Sequence, residues 1–304
     1  MYGKIALSGL ALLLSSCAAT VPKETDKPAA QIPIDQQAFL DTCEPWDEWD
    51  KPAPPFKVYG NTYYVGTCGI AAIFIAGDDQ HILIDTGTDD GAKIVLANIR
   101  SLGFEPSDVS SIMISHEHFD HVGGIARIQR VTGATIVSSE IAAVSLMSGS
   151  PSASDPQADF GHPVFEPVTT PITKVFPDNP AAVESNKIRP IFTPGHSPGA
   201  LSWQWQSCED DQCLSIVYAD SLSPISSDDY RYSDHPNYLA SYREGLALLA
   251  QQDCDILLSP HPSHSKMIQR VATGTLIGGV TCAQYAEGKL KDIEKRLAKE
   301  AERK

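Results

Sequence analysis

The feature that most constrains this chain is a dense cluster of metal-binding side chains directly after an apolar segment. Three histidines and an aspartate lie within six consecutive positions, at His116, His118, Asp120 and His121. Residues 111–115 are predicted to form a β-strand, so histidines at alternate positions after it can point the same way, while the last two ligands continue into a turn. Imidazole and carboxylate ligands at this density are typical of zinc sites, which in enzymes keep one coordination position open. We predict that this one loop serves two metal ions.

The pattern of apolar and turn residues predicts an α/β protein. Around the cluster, the order strand, loop, helix, strand forms a βαβ unit, and a second group of strands and helices follows a Pro- and Ser-rich surface loop at residues 148–171. The simplest architecture is two βα-containing halves packed as one domain. The predicted strands occupy residues 56–58, 63–65, 72–75, 81–84, 111–115, 135–137, 188–192, 201–205, 214–218 and 256–258. Helices are predicted at about residues 92–102, 122–131 and 237–250, and around Leu290, Ile293 and Leu297.

Two later segments carry further histidines. Residues 193–196 (Thr-Pro-Gly-His) contain His196, and residues 260–262 (Pro-His-Pro) contain His261 after a predicted strand. Together with the H-x-H-x-D-H pattern, they make the chain similar to the metallo-β-lactamase superfamily of binuclear hydrolases. The resemblance narrows to subclass B3 and covers nearly the whole chain from about residue 41. Its supporting segments are residues 64–67, 116–121, 193–198, 218–223 and 254–262.

This resemblance implies the αββα sandwich of the family and a binuclear zinc site. One zinc ion would be held by His116, His118 and His196, and the second by Asp120, His121 and His261. Asp120 would also orient the attacking hydroxide, although the same residue could instead only orient a histidine. Ser221 and Ser223 would hydrogen-bond the substrate carboxylate, the alternative being two hydroxyls that serve a turn. The implied activity is hydrolysis of the β-lactam amide bond of penicillins, cephalosporins and carbapenems, conferring antibiotic resistance.

Other titratable residues have open roles. Related hydrolases use an aspartate near Asp220 to bridge both metals, whereas the subclass B3 pattern does not assign it to metal, so we expect it to orient a ligand or to be structural. His81, His162 and His235 are expected at the surface. His264 is an unneeded reserve ligand beside the third histidine loop.

Two other functions fit the same residues. Another hydrolase of the superfamily, such as a thioester hydrolase or a lactonase, would share the metal chemistry, and the fold alone does not decide between them. A non-catalytic exported zinc-binding protein would hold zinc with no open coordination position. The net charge of −15 argues against nucleic-acid binding, which relies on clustered Lys and Arg. The resemblance implies a small-molecule β-lactam as the partner, and we expect a monomer.

The N-terminal residues are typical of an export signal. Lys4 precedes the apolar residues 5–14, and ten helical residues reach only about 15 Å, half of a bilayer core. Residues 14–17 (Leu-Ser-Ser-Cys) resemble a bacterial lipobox, which implies cleavage before Cys17 and lipid attachment to its sulfur, while an ordinary signal peptide cut nearby is the alternative. We expect a periplasmic protein anchored to the membrane as a lipoprotein. Its predicted parts are a signal peptide at residues 1–17, a flexible tether at 18–40 and a hydrolase domain at 41–304.

Export also changes the interpretation of the cysteines, because disulfides persist outside the reducing cytosol. Apart from Cys17 there are six, namely Cys43, Cys68, Cys208, Cys213, Cys254 and Cys282. Cys208 and Cys213 flank a polar turn between two predicted strands, so we expect a bridge between them. Six cysteines allow fifteen pairings, and the others stay open. No C-x-x-C spacing supports a zinc site made of cysteines.

Overall fold

The computed structural model describes residues 1, 3, 33–78, 80–177 and 188–302. Within these ranges the strands are β1 (Phe56–Tyr59), β2 (Thr62–Tyr64), β3 (Ile73–Ile75), β4 (His81–Ile84), β5 (Val109–Met113), β6 (Thr135–Ser139), β7 (Ile172–Val175), β8 (Ile188–Phe192), β9 (Leu201–Glu209), β10 (Gln212–Tyr218) and β11 (Ile256–Leu258). The helices are α1 (Ile34–Thr42), α2 (Asp89–Ser101), α3 (Phe119–Val122), α4 (Ile125–Thr132), α5 (Glu140–Ser148), α6 (Pro236–Ala250), α7 (Met267–Val271) and α8 (Cys282–Glu302). The predicted signal peptide, Cys17 and most of the predicted tether lie outside the described residues.

The strands form two sheets. In the first, antiparallel pairs join β1 through β4 and parallel pairs join β4 through β7. In the second, the order is β11-β10-β9-β8, with β11 parallel to β10 and the other pairs antiparallel. Because β4 and β5 are parallel, with Ile84 opposite Met113, their carboxyl ends lie at the same edge of the sheet. The loops that follow these two strands therefore start side by side.

Three apolar layers hold the sheets and helices together. Strand residues point alternately to the two faces of a sheet, so Ile82 and Ile84 of β4 join the layer between the sheets, whereas Leu83 faces the helices. Trp203 of β9 lies in the same inner layer. Residues of α2, α4 and α5 cover the outer face of the first sheet, and residues of α6 and α8 cover the second. The order is helix, sheet, sheet, helix, which confirms the predicted αββα sandwich.

Helix α1 corrects one predicted boundary. The helix begins at Ile34, inside the range 18–40 that was interpreted as a tether. Phe39 is fully buried, with its ring 4.9 Å from that of Phe56 and 5.3 Å from that of Tyr64. The folded part of the chain therefore begins by Ile34 and not at residue 41. The Pro-, Lys- and Ala-rich composition of the preceding residues concealed this short helix, whose own apolar pattern is weak.

Four further elements, α3, α5, α7 and β7, and the position of one histidine were not predicted. Helix α5, with the sequence Glu-Ile-Ala-Ala-Val-Ser-Leu-Met-Ser, carries apolar side chains all around and so lacks the periodicity that identifies a surface helix. Its start is fixed by Ser139, whose hydroxyl accepts a hydrogen bond from the backbone N–H of Ala142. Strand β7 follows the surface loop. His81, expected at the surface, is buried in β4, and its Nδ1 accepts a hydrogen bond from the Gly77 N–H.

Three disulfides join the six cysteines. Cys208–Cys213 closes the hairpin of β9 and β10, where the two residues are directly opposite, and this predicted bridge is confirmed. Cys43–Cys68 ties the end of α1 to the loop after β2, and Cys254–Cys282 ties the segment before β11 to the first residue of α8. No helix in the described ranges combines the length and apolarity needed to cross a bilayer.

Loss of the Cys43–Cys68 disulfide is expected to destabilise the protein more than loss of Cys208–Cys213. The first bridge spans 25 residues and the second spans 5, and a longer closed loop restricts the unfolded chain more. Chain entropy predicts a decrease in the free energy of unfolding of about 3.5 kcal/mol for C43S/C68S and about 2 kcal/mol for C208S/C213S. Urea unfolding of both double variants beside the wild type measures the difference. A larger loss for C208S/C213S would contradict the loop-closure argument.

Candidate metal centre and active site

The first ligand loop lies at the edge of the first sheet where β4 and β5 end. His116 and His118 follow β5 in extended backbone, and His118 is the residue before α3. Asp120 and His121 lie in the first turn of α3, which carries both side chains back toward the sheet edge. All four side chains are buried. A short helix directly after a strand thus concentrates four potential ligands in one place.

Three histidines from two loops form the first group. His196 lies in the loop between β8 and β9, and its ring centroid is 4.8 Å from that of His116 and 4.9 Å from that of His118. One ring nitrogen from each of the three residues lies within 4.8 Å of the others. Three imidazoles at this spacing fit the ligand set of a zinc ion that keeps a further coordination position open.

The remaining three predicted ligands converge beside the first group. His121 Nε2 lies 3.0 Å from Asp120 Oδ2, and His261 Nε2 lies 3.3 Å from the same oxygen. His116, Asp120 and His121 also have ligand atoms within 4.8 Å of one another. The structure therefore brings all six predicted ligands together, from the loops after β5, β8 and β11.

Outer hydrogen-bond partners determine which nitrogen of each imidazole is free. His118 Nε2 lies 2.9 Å from Asp155 Oδ2, and His196 Nδ1 lies 2.9 Å from the backbone oxygen of Ser223. His116 Nδ1 lies 3.1 Å from the Ser115 hydroxyl, its hydrogen-bond partner, and 2.8 Å from Asp220 Oδ1, while His116 Nε2 is buried without a hydrogen-bond partner among the described residues. An orphaned buried nitrogen is costly unless a ligand satisfies it. The donor set thus fits metal ions, and Asp220 lies where a ligand-orienting carboxylate is expected.

Asp85 supports the loop from below the sheet edge. Its buried carboxylate accepts hydrogen bonds from the backbone N–H and the hydroxyl of Ser115, both at 2.7 Å, and from the Tyr218 hydroxyl at 2.8 Å. Asp85 Oδ2 also lies 3.8 Å from His121 Nδ1. The residue has a φ of 60°, a left-handed conformation that is unfavourable for a side chain with a Cβ. The sequence pattern does not reveal this role, because Ser115 and Tyr218 lie 30 and 133 positions away from Asp85.

Glu117 couples the first two histidine loops. This fully buried carboxylate accepts hydrogen bonds from the Ser197 hydroxyl at 2.8 Å and from the Gly199 N–H at 3.0 Å. Both partners lie just after His196, so the loop carrying that ligand is tied to the loop carrying His116 and His118. The sequence pattern does not reveal this role, because the partners lie 80 and 82 positions away.

The protonation states suit metal ligation. Burial, with the neighbouring histidines, lowers the pKa values of His116 and His196 well below the ordinary value, so both rings are neutral at pH 7. Burial alone would raise the pKa of Asp120, but His121 and His261 outweigh it and lower that pKa well below its usual range. For His118, burial lowers the pKa, but the hydrogen bond and charge of Asp155 raise it to about 8. A metal ion that binds His118 must therefore displace a proton.

The remaining sequence candidates lie partly beside this centre and partly at the surface. The Ser221 side chain is fully buried, and its hydroxyl has no hydrogen-bond partner among the described residues, while Ser223 is buried beside His196. His264 packs against His261 with ring centroids 5.0 Å apart. The ring centroid of His162 lies 6.2 Å from that of His118. His235 is exposed and stacks on Tyr230, as expected for a surface residue.

Comparisons with known proteins agree with this geometry. A family model described as the metallo-beta-lactamase superfamily matches residues 65–209. The solved structure of MIM-2 metallo-beta-lactamase is 49% identical, covering 89% of this chain and 100% of that chain with a TM-score of 0.82. MIM-1 from Novosphingobium pentaromativorans is 45% identical, with coverages of 88% and 99% and a TM-score of 0.82. MEM-A1, a subclass B3 metallo-beta-lactamase from a soil metagenome library, is 39% identical, with coverages of 84% and 100% and a TM-score of 0.80.

Curated relatives match over a shorter segment. A UPF0173 metal-dependent hydrolase of Staphylococcus aureus (strain JH9) is 29% identical over 71 residues, which are 23% of this chain and 28% of that protein. The match therefore spans less than a third of that relative's length.

Replacement of Asp155 by Asn is expected to weaken metal binding by about 10- to 100-fold, the usual effect of losing an orienting partner. The amide can donate to His118 Nε2, which favours the tautomer that carries its proton on Nδ1 and competes with the metal. Competition with a chromogenic chelator measures the affinity. The exposed Asp159 in the same loop provides the matched control D159N, for which we expect the wild-type affinity. Equal affinities of D155N and wild type would contradict the orienting role.

Proposed function

The chain belongs to the subclass B3 metallo-β-lactamases, and we propose that it hydrolyses the amide bond of penicillins, cephalosporins and carbapenems and thereby confers antibiotic resistance. The observation that carries this proposal is the convergence of His116, His118, His196, Asp120, His121 and His261 at one sheet edge. The MIM-2 and MEM-A1 structures, which this chain covers over their full length, support the same assignment. The proposed substrate is a small-molecule β-lactam.

We propose two zinc ions as the cofactors. His116, His118 and His196 would hold one of them, and Asp120, His121 and His261 the other. When bound, zinc lowers the pKa of a coordinated water from about 15.7 to about 7 and polarises a carbonyl oxygen. Residues 195–199 (Gly-His-Ser-Pro-Gly) match the G-x-S-x-G pattern of serine hydrolases, but they lie in the loop between β8 and β9 and not at a strand-to-helix turn, and the Ser197 hydroxyl donates to the Glu117 carboxylate. Residues 263–266 match S-x-x-K, but the S-D-N and K-T-G partner motifs are absent from the sequence. Neither segment therefore supports a serine-dependent route.

Asp120 and the serine segment, residues 221–223, are proposed to act directly on the attacking water and on the substrate. Among the residues that the structure describes, both ion pairs of Asp120 are made by Oδ2. Oδ1 is proposed to accept a hydrogen bond from the attacking water and to orient it toward the lactam carbonyl. Ser221 and Ser223 are proposed to donate hydrogen bonds to the substrate carboxylate. The buried Ser221 hydroxyl, which has no partner among the described residues, supports this role.

The purified protein is expected to hydrolyse a penicillin, a cephalosporin and a carbapenem. Activity is expected to disappear with a chelator and return with zinc, because the six proposed ligands would hold the metal ions on which the hydrolysis depends. Loss of ultraviolet absorbance of each β-lactam measures turnover, and metal analysis is expected to give two zinc ions per chain. The variant D120N, prepared in the same way, is expected to lose activity on the order of 100-fold and controls for contaminating lactamases.

Two outcomes would replace this proposal. Hydrolysis of an acyl lactone or a thioester, with no turnover of any β-lactam, would identify another hydrolase of the superfamily. Stoichiometric zinc binding with no turnover of either substrate class would indicate a non-catalytic zinc-binding protein.

We also propose that the protein is exported to the periplasm and anchored there through lipid on Cys17, as a monomer. The basic and apolar N-terminal residues and the lipobox-like residues 14–17 support export. The three disulfides are compatible with an oxidising compartment.

Mass spectrometry of the mature protein is expected to find an N-terminal Cys17 with the mass of attached lipid, because the lipobox directs cleavage before this residue. The variant C17S is expected to leave the membrane fraction. A mature wild-type N-terminus that lies after Cys17 and carries no lipid would contradict anchoring and support an ordinary signal peptide.

A further inference from the structure

A cavity of about 640 Å³ lies next to the proposed metal centre, on the side of the third histidine loop. Ser223 and His264 line it, and His264 packs directly on the ligand His261. Helix α8 forms the opposite wall with Tyr285 and Lys289. The C-terminal helix therefore contributes side chains to a space that begins at the serine segment.

Lys289 is a buried cation with too few partners. Lys289 is only 8% exposed. Its Nζ donates one hydrogen bond, to Ser223 Oγ at 2.8 Å. Among the described residues, no carboxylate oxygen lies within 4.0 Å of this nitrogen. The ring of Tyr285 lies 5.1 Å away and offers a cation–π contact. An ammonium group has three N–H donors, so two remain for a ligand.

The position of Lys289 is fixed from both ends. Tyr285, one turn earlier on α8, donates from its hydroxyl to the backbone oxygens of Asp220 and Ser221, at 3.0 and 3.1 Å. The Cys254–Cys282 disulfide holds the first residue of the same helix. These contacts couple α8 directly to the segment that carries the two serines, so Lys289 is held toward that segment and not toward bulk solvent.

We propose that Lys289 is the cationic residue that binds the carboxylate of the substrate, together with Ser221 and Ser223. Lys289 donates to Ser223 Oγ, and the Ser223 hydroxyl itself donates to the Ser221 backbone oxygen at 3.3 Å. When a substrate binds, rotation of this hydroxyl would turn its hydrogen from that long bond to the same carboxylate. The ligand class is a cyclic amide with a carboxylate on the carbon next to the ring nitrogen. This inference rests on the proposed function, since it concerns substrate recognition at the same centre.

The charge of Lys289 is compatible with this role. Burial lowers its pKa to about 8, with Asp292 and Asp220 acting in the opposite direction, so the ammonium form predominates at pH 7. A buried charge without a counter-ion is unfavourable, and a bound carboxylate supplies the missing partner. The chain as a whole is acidic, with a net charge of −15, and so does not attract an anionic substrate. A local cation such as Lys289 would supply that attraction at the site.

The variant K289M tests the role, because it removes the charge and keeps a chain of similar length. For a cephalosporin, we expect kcat/KM to fall by about tenfold or more, mainly through KM, as for the loss of a hydrogen bond to a charged group. For the methyl ester of the same cephalosporin, we expect kcat/KM to match the wild type. K291M is the matched control, since Lys291 is exposed on the same helix and pairs with Glu287, and it is expected to leave both values unchanged.

Equal losses for acid and ester in K289M would overturn the proposal and assign Lys289 a structural role. An unchanged acid value would overturn it as well. Replacing an unpaired buried charge by a similar apolar side chain is expected to preserve stability, which thermal unfolding checks. The wild-type protein tests the carboxylate site by itself, even if K289M does not fold. Equal kcat/KM values of the wild type for acid and ester would exclude such a site.

A binding measurement separates this inference from the proposed function. Pyroglutamate is an unstrained lactam with a carboxylate next to the ring nitrogen, and its methyl ester lacks the charge. Ligand-observed NMR is expected to find tighter binding of pyroglutamate than of the ester to the wild type, and no such preference in K289M. Absence of β-lactam turnover with this preference intact would reject the proposed function and keep the anion site. Turnover without any preference would keep the function and reject the site.

Discussion

The buried carboxylate of Asp85 is the interaction on which the rest of the site depends. It joins the end of β4 to Ser115 after β5 and to Tyr218 of β10, so it links both sheets next to the ligand loop. A change in the packing of the sheets would therefore move His116 and the residues that follow it. The left-handed backbone of Asp85 is tolerated because these bonds compensate for its strain. The positions of the proposed metal ligands therefore depend on how the two sheets pack together.

The local pattern predicted the parts of the site that are close in sequence. The spacing of His116, His118 and Asp120 after an apolar strand was enough to predict a metal loop, whereas His196 and His261 required the resemblance to a family. Asp155 and Glu117 escaped prediction because their partners are distant, as the 37 positions between His118 and Asp155 illustrate. Helix α5 was missed for a different reason, since a helix that is apolar on all sides has no periodic signal.

The histidine ligands owe their orientation to partners from separate parts of the chain. Asp155 lies in the loop after α5, Asp220 after β10, and the Ser223 carbonyl in the segment that also carries the serines. Each partner occupies one ring nitrogen and leaves the other to face the centre. Because the Ser223 backbone contacts His196 while its hydroxyl contacts Lys289, the metal centre and the serine segment share a residue. A shift of this residue would alter both at once.

The Cys254–Cys282 disulfide forms only where the surroundings are oxidising. It is the covalent link between the body of the sandwich and the start of the C-terminal helix. Glutathione and thioredoxin would keep these thiols apart in a cytosol, leaving only side-chain packing to seat that helix. Oxidation of the two thiols would then make α8, which lines the cavity beside the candidate metal centre, more rigid. The redox state of the surroundings would in this way affect how firmly that helix is held.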